Sequence, residues 1–156
     1  MDKPSLITLA RQKAAKYELD GDLVCAIVEQ ESGWDACAVR YEPAFMDRYI
    51  LPLFNKGRMT PTEAYTRSMS WGLMQVMGEV AREHEFDRSS LAWLCDPEVG
   101  LDIGCMIFAV RLASAHNDVS AALLAWNGGA NPNYPAEVQA RMATYKALPP
   151  QTQVDG

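Results

Sequence analysis

Asp20-Gly21-Asp22-Leu23-Val24-Cys25-Ala26-Ile27-Val28-Glu29-Gln30-Glu31-Ser32-Gly33-Trp34 is the stretch on which the fold turns. Asp20 has the short acceptor side chain that caps a helix N-terminus, and Gly33 supplies the left-handed residue that ends one. Between them, Leu23, Val24, Ile27 and Val28 gather on one face at helical spacing. The stretch predicts a buried helix over 21–32 whose last turn carries Glu31. A carboxylate there sits near the negative end of the helix dipole, and apolar neighbours such as Ile27, Val28 and Trp34 add desolvation. Both effects favour the protonated acid at neutral pH. Taken alone, Glu31 still reads as a solvated helix-end residue.

Working outward, the same punctuation recurs. Pro4 opens a segment that runs to about residue 17 with Leu6, Leu9, Lys13 and Ala14 in one stripe. Thr60-Pro61-Thr62-Glu63 is a capping box with proline at the first helical position, so a short helix over 61–67 is expected. A helix over about 72–83 follows. Asp96-Pro97-Glu98 begins a long helix to about residue 115, with Leu101, Cys105, Phe108 and Leu112 marking its core side. Asn117 or Asp118 caps the next, which ends at Trp126-Asn127-Gly128-Gly129. A last helix starts at Tyr134-Pro135 and runs to about residue 146. No alternating strand pattern exceeds a few residues, although 39–49 is open between strand and helix. The expected fold is all-α: a single domain over 1–148, then a mobile tail over 149–156.

Bulk composition narrows the function classes. The chain has 156 residues, 49% apolar and 22% charged, which is ordinary globular make-up for one domain. Fourteen basic residues stand against 20 acidic ones, for a net charge of −6, so nucleic acid is not an expected partner. The first residues show no basic stretch followed by an apolar run, and no apolar run is long enough to span a membrane. Synthesis in the cytosol without a signal peptide, and a monomer, are the expectations. Cys25 and Cys105 lie among apolar residues at helical spacing and read as buried thiols. No close Cys or His pair has zinc-ligand spacing, His84 belongs to no His-Glu-x-x-His motif, and no phosphate loop or dinucleotide fingerprint occurs. No metal and no cofactor is expected.

Two further segments change the weight of Glu31. In Ser70-Trp71-Gly72-Leu73-Met74-Gln75-Val76-Met77, one amide sits inside an apolar run, and a buried amide needs partners such as sugar hydroxyls. In Ala125-Trp126-Asn127-Gly128-Gly129, an indole and an amide stand at a helix end before a permissive turn, with Tyr134 shortly after. Aromatic faces stack on sugar rings while Asn, Gln and Tyr tips read hydroxyls. Glu31-Ser32, the 72–77 run, the 125–129 run and Tyr134 through Val138 resemble, in that order, the motifs of soluble lytic transglycosylases. The resemblance covers about residues 19–141 and implies a lysozyme-like fold related to goose-type lysozyme. It implies Glu31 as the single catalytic acid/base, with Ser32, Met74, Gln75, Trp126, Asn127 and Tyr134 at the substrate groove. Its substrate is peptidoglycan, cut between N-acetylmuramic acid and N-acetylglucosamine with closure of a 1,6-anhydro ring.

The chain departs from the family in two places. Glu31 and Gly72 are much further apart than the family's usual spacing, so 40–69 is an insertion carrying Glu42, Asp47 and Glu63. Its expected role is a lid or groove wall. A carboxylate from it holding a water would make the protein a hydrolysing muramidase instead. Trp126 stands where the family commonly has tyrosine, which keeps stacking and loses a hydroxyl. A non-catalytic glycan-binding module is the remaining alternative, against which the joint presence of Glu31, Gln75 and Tyr134 argues. The site of action implied is the cell wall, reached as a phage lysin, a virion component or part of a secretion apparatus.

Overall fold

The caps read from the sequence close the helices where expected. The computed structural model describes residues 1–148, and the expected mobile tail lies outside them. Helix α1 (Lys3–Lys16) is capped by Asp2, and α2 (Gly21–Ser32) by Asp20, whose carboxylate accepts from the N–H groups of Asp22 and Leu23 at 2.8 and 3.3 Å. Gly33 ends α2 in the left-handed conformation, φ 59°. Helix α5 (Pro61–Arg67) is capped by Thr60, α7 (Pro97–Ser114) by Asp96 and α8 (Val119–Trp126) by Asp118. Helix α9 (Tyr134–Lys146) completes the set. Residues Val24 to Val28 are wholly buried, so α2 is apolar all round at mid-length, as a central helix must be. It packs against α1 and α9, while α7 lies against α1 and α8. The Trp34 indole donates to the Tyr145 hydroxyl at 2.8 Å and fastens the end of α2 to α9.

One expected helix is corrected. Residues 72–83 are a tight turn, a short strand and only then a helix, α6 (Gly78–Glu83). Strands β1 (Val39–Tyr41), β2 (Met69–Trp71) and β3 (Val76–Met77) form an antiparallel sheet in the order β1-β2-β3. The reason is local. Gly72 at φ 68° and Gln75 at φ 48° are left-handed, and the Gln75 N–H donates to the Gly72 carbonyl to close the turn. A side chain at Gly72 would run into the Leu94 carbonyl, so glycine is required there on two counts. Leu73, Met74 and Val76 are all buried, but the turn and the start of β3 insert them, not a helical face. The molecule remains mostly helical and a single lysozyme-like domain. No described helix is long and apolar enough to cross a membrane.

The inserted segment builds its own small core. After β1, the chain runs through α3 (Pro43–Phe45), a widened π turn (Met46–Ile50) and α4 (Leu51–Phe54). Pro52 has no N–H to give and its ring crowds the preceding turn, and the chain widens just before it, with the Leu51 N–H reaching back to the Met46 carbonyl. Met46, Ile50 and Ala64 are buried together, with Phe45, Leu51, Phe54 and Met59 packed around them. Glu63 on α5 binds Arg67 at 2.8 Å and Arg82 of α6 at 2.7 Å, which ties the insertion to the body.

Candidate active site

Cross-strand neighbours in a sheet point to the same face, and the register here aligns Arg40 with Ser70 and Ser70 with Met77. All three line a cleft of about 610 Å³. The inserted segment supplies Glu42, Phe45, Arg48 and Tyr49 to it, and α7 and α8 supply Arg111, Ala125 and Trp126. Glu31, from the last turn of α2, opens into the same space.

Glu31 is half-buried, and burial raises its carboxyl above the ordinary carboxylate range. The hydrogen bond from the Tyr134 hydroxyl pulls the other way, as do the nearby Trp126 indole and the charge of Arg40, but burial prevails. The Tyr134 hydroxyl donates to Glu31 Oε1 at 2.5 Å. Tyr134 is itself buried, and burial together with the Glu31 charge pushes its phenol far up, so it stays a donor. The arrangement is a carboxyl shifted toward its protonated form and held in one orientation at the edge of a cleft. That is what a general acid needs.

The other expected residues fall into two groups. Trp126 and Asn127 line the cleft, with Trp126 half-buried edge-on to Phe108 at 5.7 Å and Asn127 Oδ1 accepting from the Asn131 N–H at 2.7 Å. Gln75 also lines it, yet its amide is taken up by the protein. Its Oε1 accepts from the Ser70 hydroxyl at 2.8 Å, and its Nε2 donates to the carbonyls of Ala38 and Gly72 at 3.0 and 2.9 Å. Ser32 and Met74 stand behind the cleft. The Ser32 hydroxyl donates to the carbonyls of Leu73 at 2.8 Å and Val28 at 3.1 Å, tying the end of α2 to the β2–β3 turn. Met74 is wholly buried, and a side chain at Gly104 would strike its sulfur.

Of the three acids in the insertion, Glu42 reaches the cleft, where Arg40 holds it at 2.5 Å. Glu63 is committed to Arg67 and Arg82, and Asp47 is not among the lining residues. Sequence reasoning missed Arg40, Arg48, Tyr49 and Arg111. For Arg111 a signal existed: it follows Phe108 by three residues, placing a charge at the margin of the apolar stripe of α7. The four cysteines are free thiols, Cys25 and Cys105 buried as expected, and no described cluster of His, Cys, Asp and Glu has the make-up of a metal site.

The family model for the transglycosylase SLT domain matches residues 8–148, from the first helix to the last. No curated protein and no solved structure matches the chain. A lysozyme-like helical fold, a half-buried glutamic acid beside a cleft and a match along nearly its whole length converge: the chain belongs to the lytic transglycosylase family of SLT domains, which act on the glycan strands of peptidoglycan.

Proposed function

We propose that the protein cleaves the β-1,4 bond between N-acetylmuramic acid and N-acetylglucosamine without water, with Glu31 as its single acid/base. The observation that carries this reading is the state of Glu31: half-buried, raised by that burial and oriented by the Tyr134 hydroxyl at 2.5 Å. The protonated carboxyl gives its proton to the glycosidic oxygen as the C1–O bond breaks and the muramic ring becomes oxocarbenium-like. The bonding electrons leave with the N-acetylglucosamine oxygen. The muramic 6-hydroxyl then attacks C1, and its proton returns to the Glu31 carboxylate. An intramolecular hydroxyl outcompetes water through proximity, so no second carboxylate is required. Trp126 offers a stacking face and Asn127 an amide to the sugars.

Product analysis tests this directly. Purified peptidoglycan digested with the protein is expected to release muropeptides lighter by one water than those with a reducing end, and Glu31→Gln is expected to release none. Reducing-end muramic acid would overturn the anhydro reading. Glu42 favours that second reading, because it brings another carboxylate into the same cleft. Its pairing with Arg40 supports a role in the wall instead. If hydrolysis is seen and Glu42→Gln abolishes it, Glu42 is the residue that activates water.

A further inference from the structure

Among the described residues, Arg111 Nε is the buried side-chain polar atom without a hydrogen-bond partner. One Nη1–H of the same guanidinium donates to the Ala125 carbonyl at 3.0 Å, and the group lies 5.7 Å from the centre of the Trp126 ring. Arg111 itself lines the cleft, together with Ala125 and Trp126. No described carboxylate pairs with it, and Glu83 acts on it only at longer range. Burial lowers its pKa from the usual arginine value, the expected mark of a cation removed from water without compensation.

From the inserted segment, Arg48 faces the same cleft. It is exposed, 5.2 Å from the Tyr49 ring centre, and likewise has no carboxylate partner among the described residues. The cleft holds one other arginine, Arg40, which Glu42 neutralises. The remaining carboxyl is Glu31, which burial favours in its neutral form. In a protein of net charge −6, the cleft is therefore locally positive. Stacking on neutral sugars needs only Trp126 and Tyr49. The partly buried Arg111 lacks a counter-ion among the described residues, Arg48 adds a second positive charge to the same cleft, and the planar fork of arginine matches a carboxylate.

We propose that Arg111 and Arg48 form a carboxylate-recognition site that makes the cleft selective for glycan strands bearing free carboxylates. This rests on the reading of the cleft as a peptidoglycan-cleaving site and names the substrate feature it selects. Two sources have the required chemistry: the lactyl group of muramic acid where the peptide has been removed, and the free carboxylates of the stem peptide. The partly buried Arg111 is the discriminating residue, because a guanidinium shielded from water gains most from a matched anion.

The test uses four substrates: peptide-bearing strands and peptide-free strands, each native and with carboxylates converted to amides. Wild type is expected to lose about tenfold in kcat/KM on amidation, mainly through KM. Arg111→Gln is expected to show that loss on native strands and no further loss on amidated ones. Discrimination on peptide-free strands assigns the lactyl carboxylate; discrimination confined to peptide-bearing strands assigns the stem peptide. An Arg111→Gln protein that keeps the full wild-type preference overturns the proposal. If that variant fails to fold, the exposed Arg48→Gln is expected to lose about threefold of the preference, and an unchanged preference overturns the two-arginine site. Equal cleavage of native and amidated strands by wild type sinks the carboxylate site alone. No cleavage of any strand sinks the cleavage reading as well.

Discussion

Burial and hydrogen bonding pull the Glu31 carboxyl in opposite directions, and their balance sets the pH range in which it can act as an acid. The Tyr134 hydroxyl stabilises the ionised form, so Tyr134→Phe should raise the Glu31 pKa further. The alkaline limb of the kcat/KM profile should then move to higher pH, while kcat falls about tenfold because the carboxyl loses its orienting donor. An alkaline limb that stays in place would separate Tyr134 from the titration of Glu31. The same residue makes a stability prediction. Glu31 is raised in the folded protein and ordinary in the unfolded chain, so between those two values the folded state holds the extra proton. Stability therefore falls as pH rises through that window and stays lower above it. Glu31→Gln has no such charge to bury, and its amide oxygen still accepts from Tyr134. Its Tm at pH 7 should exceed that of wild type, with the gap closing as pH falls to the ordinary carboxylate range. A variant less stable than wild type at pH 7 would show that Glu31 is not strained by burial. That Glu31, Trp126 and Asn127 would share one cleft was readable in the sequence because each sits at a helix end, and helix ends are encoded by neighbouring residues. Arg111 was much harder to read, because only its closeness to Trp126, fifteen positions on, makes its charge meaningful.

At the scale of elements, the helices with a capping side chain and a proline start or glycine stop were legible almost to the residue, as α2, α5 and α7 show. The β2–β3 hairpin was not. Its strands have three and two residues, too short for alternation to register, and the apolar run over 73–77 suits a buried helix as well as a buried turn. What selects the turn is remote: the Ala38 carbonyl takes the N–H of Gly72 at 2.8 Å and the amide of Gln75 at 3.0 Å, and the Leu94 carbonyl leaves no room for a side chain at Gly72. Those partners lie more than 15 residues away on either side. The sequence expectation that Gln75 reads sugar hydroxyls thus competes with a role as the knot of the hairpin, and one variant separates them. Gln75→Leu should cost about 2 kcal/mol in urea denaturation, since the Ala38 and Gly72 carbonyls each lose one of two donors and the Ser70 hydroxyl loses its Gln75 acceptor. Stability within about 0.5 kcal/mol of wild type together with a raised KM would instead make the amide a substrate contact. The insertion was legible as an extra segment and as a lid or groove wall, but the residues with which it lines the cleft were not, because they depend on the β1–β2 register that turns Arg40 toward Glu31.

At the scale of the whole molecule, a net charge of −6 surrounds a cleft in which two arginines are unpaired, so an anionic strand meets two opposed fields. Their ranges differ. At 10 mM ionic strength the Debye length is about 30 Å, roughly the width of a domain this size, and the strand feels the overall negative charge. At 100 mM it is about 10 Å, which screens the bulk repulsion yet leaves contacts within the cleft largely intact. The rate of capture should therefore pass through a maximum. On carboxylate-bearing soluble strands, kcat/KM is expected to rise about threefold between 10 and 100 mM salt, then fall as the arginine contacts are themselves screened. Glu85 and Asp87 are exposed and line a separate hollow by the start of α7, not the cleft. Changing both to their amides should flatten the rising limb and leave the falling limb in place. Arg111→Gln should do the reverse, keeping the rise and weakening the fall. A rate that declines steadily from the lowest salt would mean that the cleft's own field already dominates at long range, and that the acidic surface takes no part in selecting what arrives.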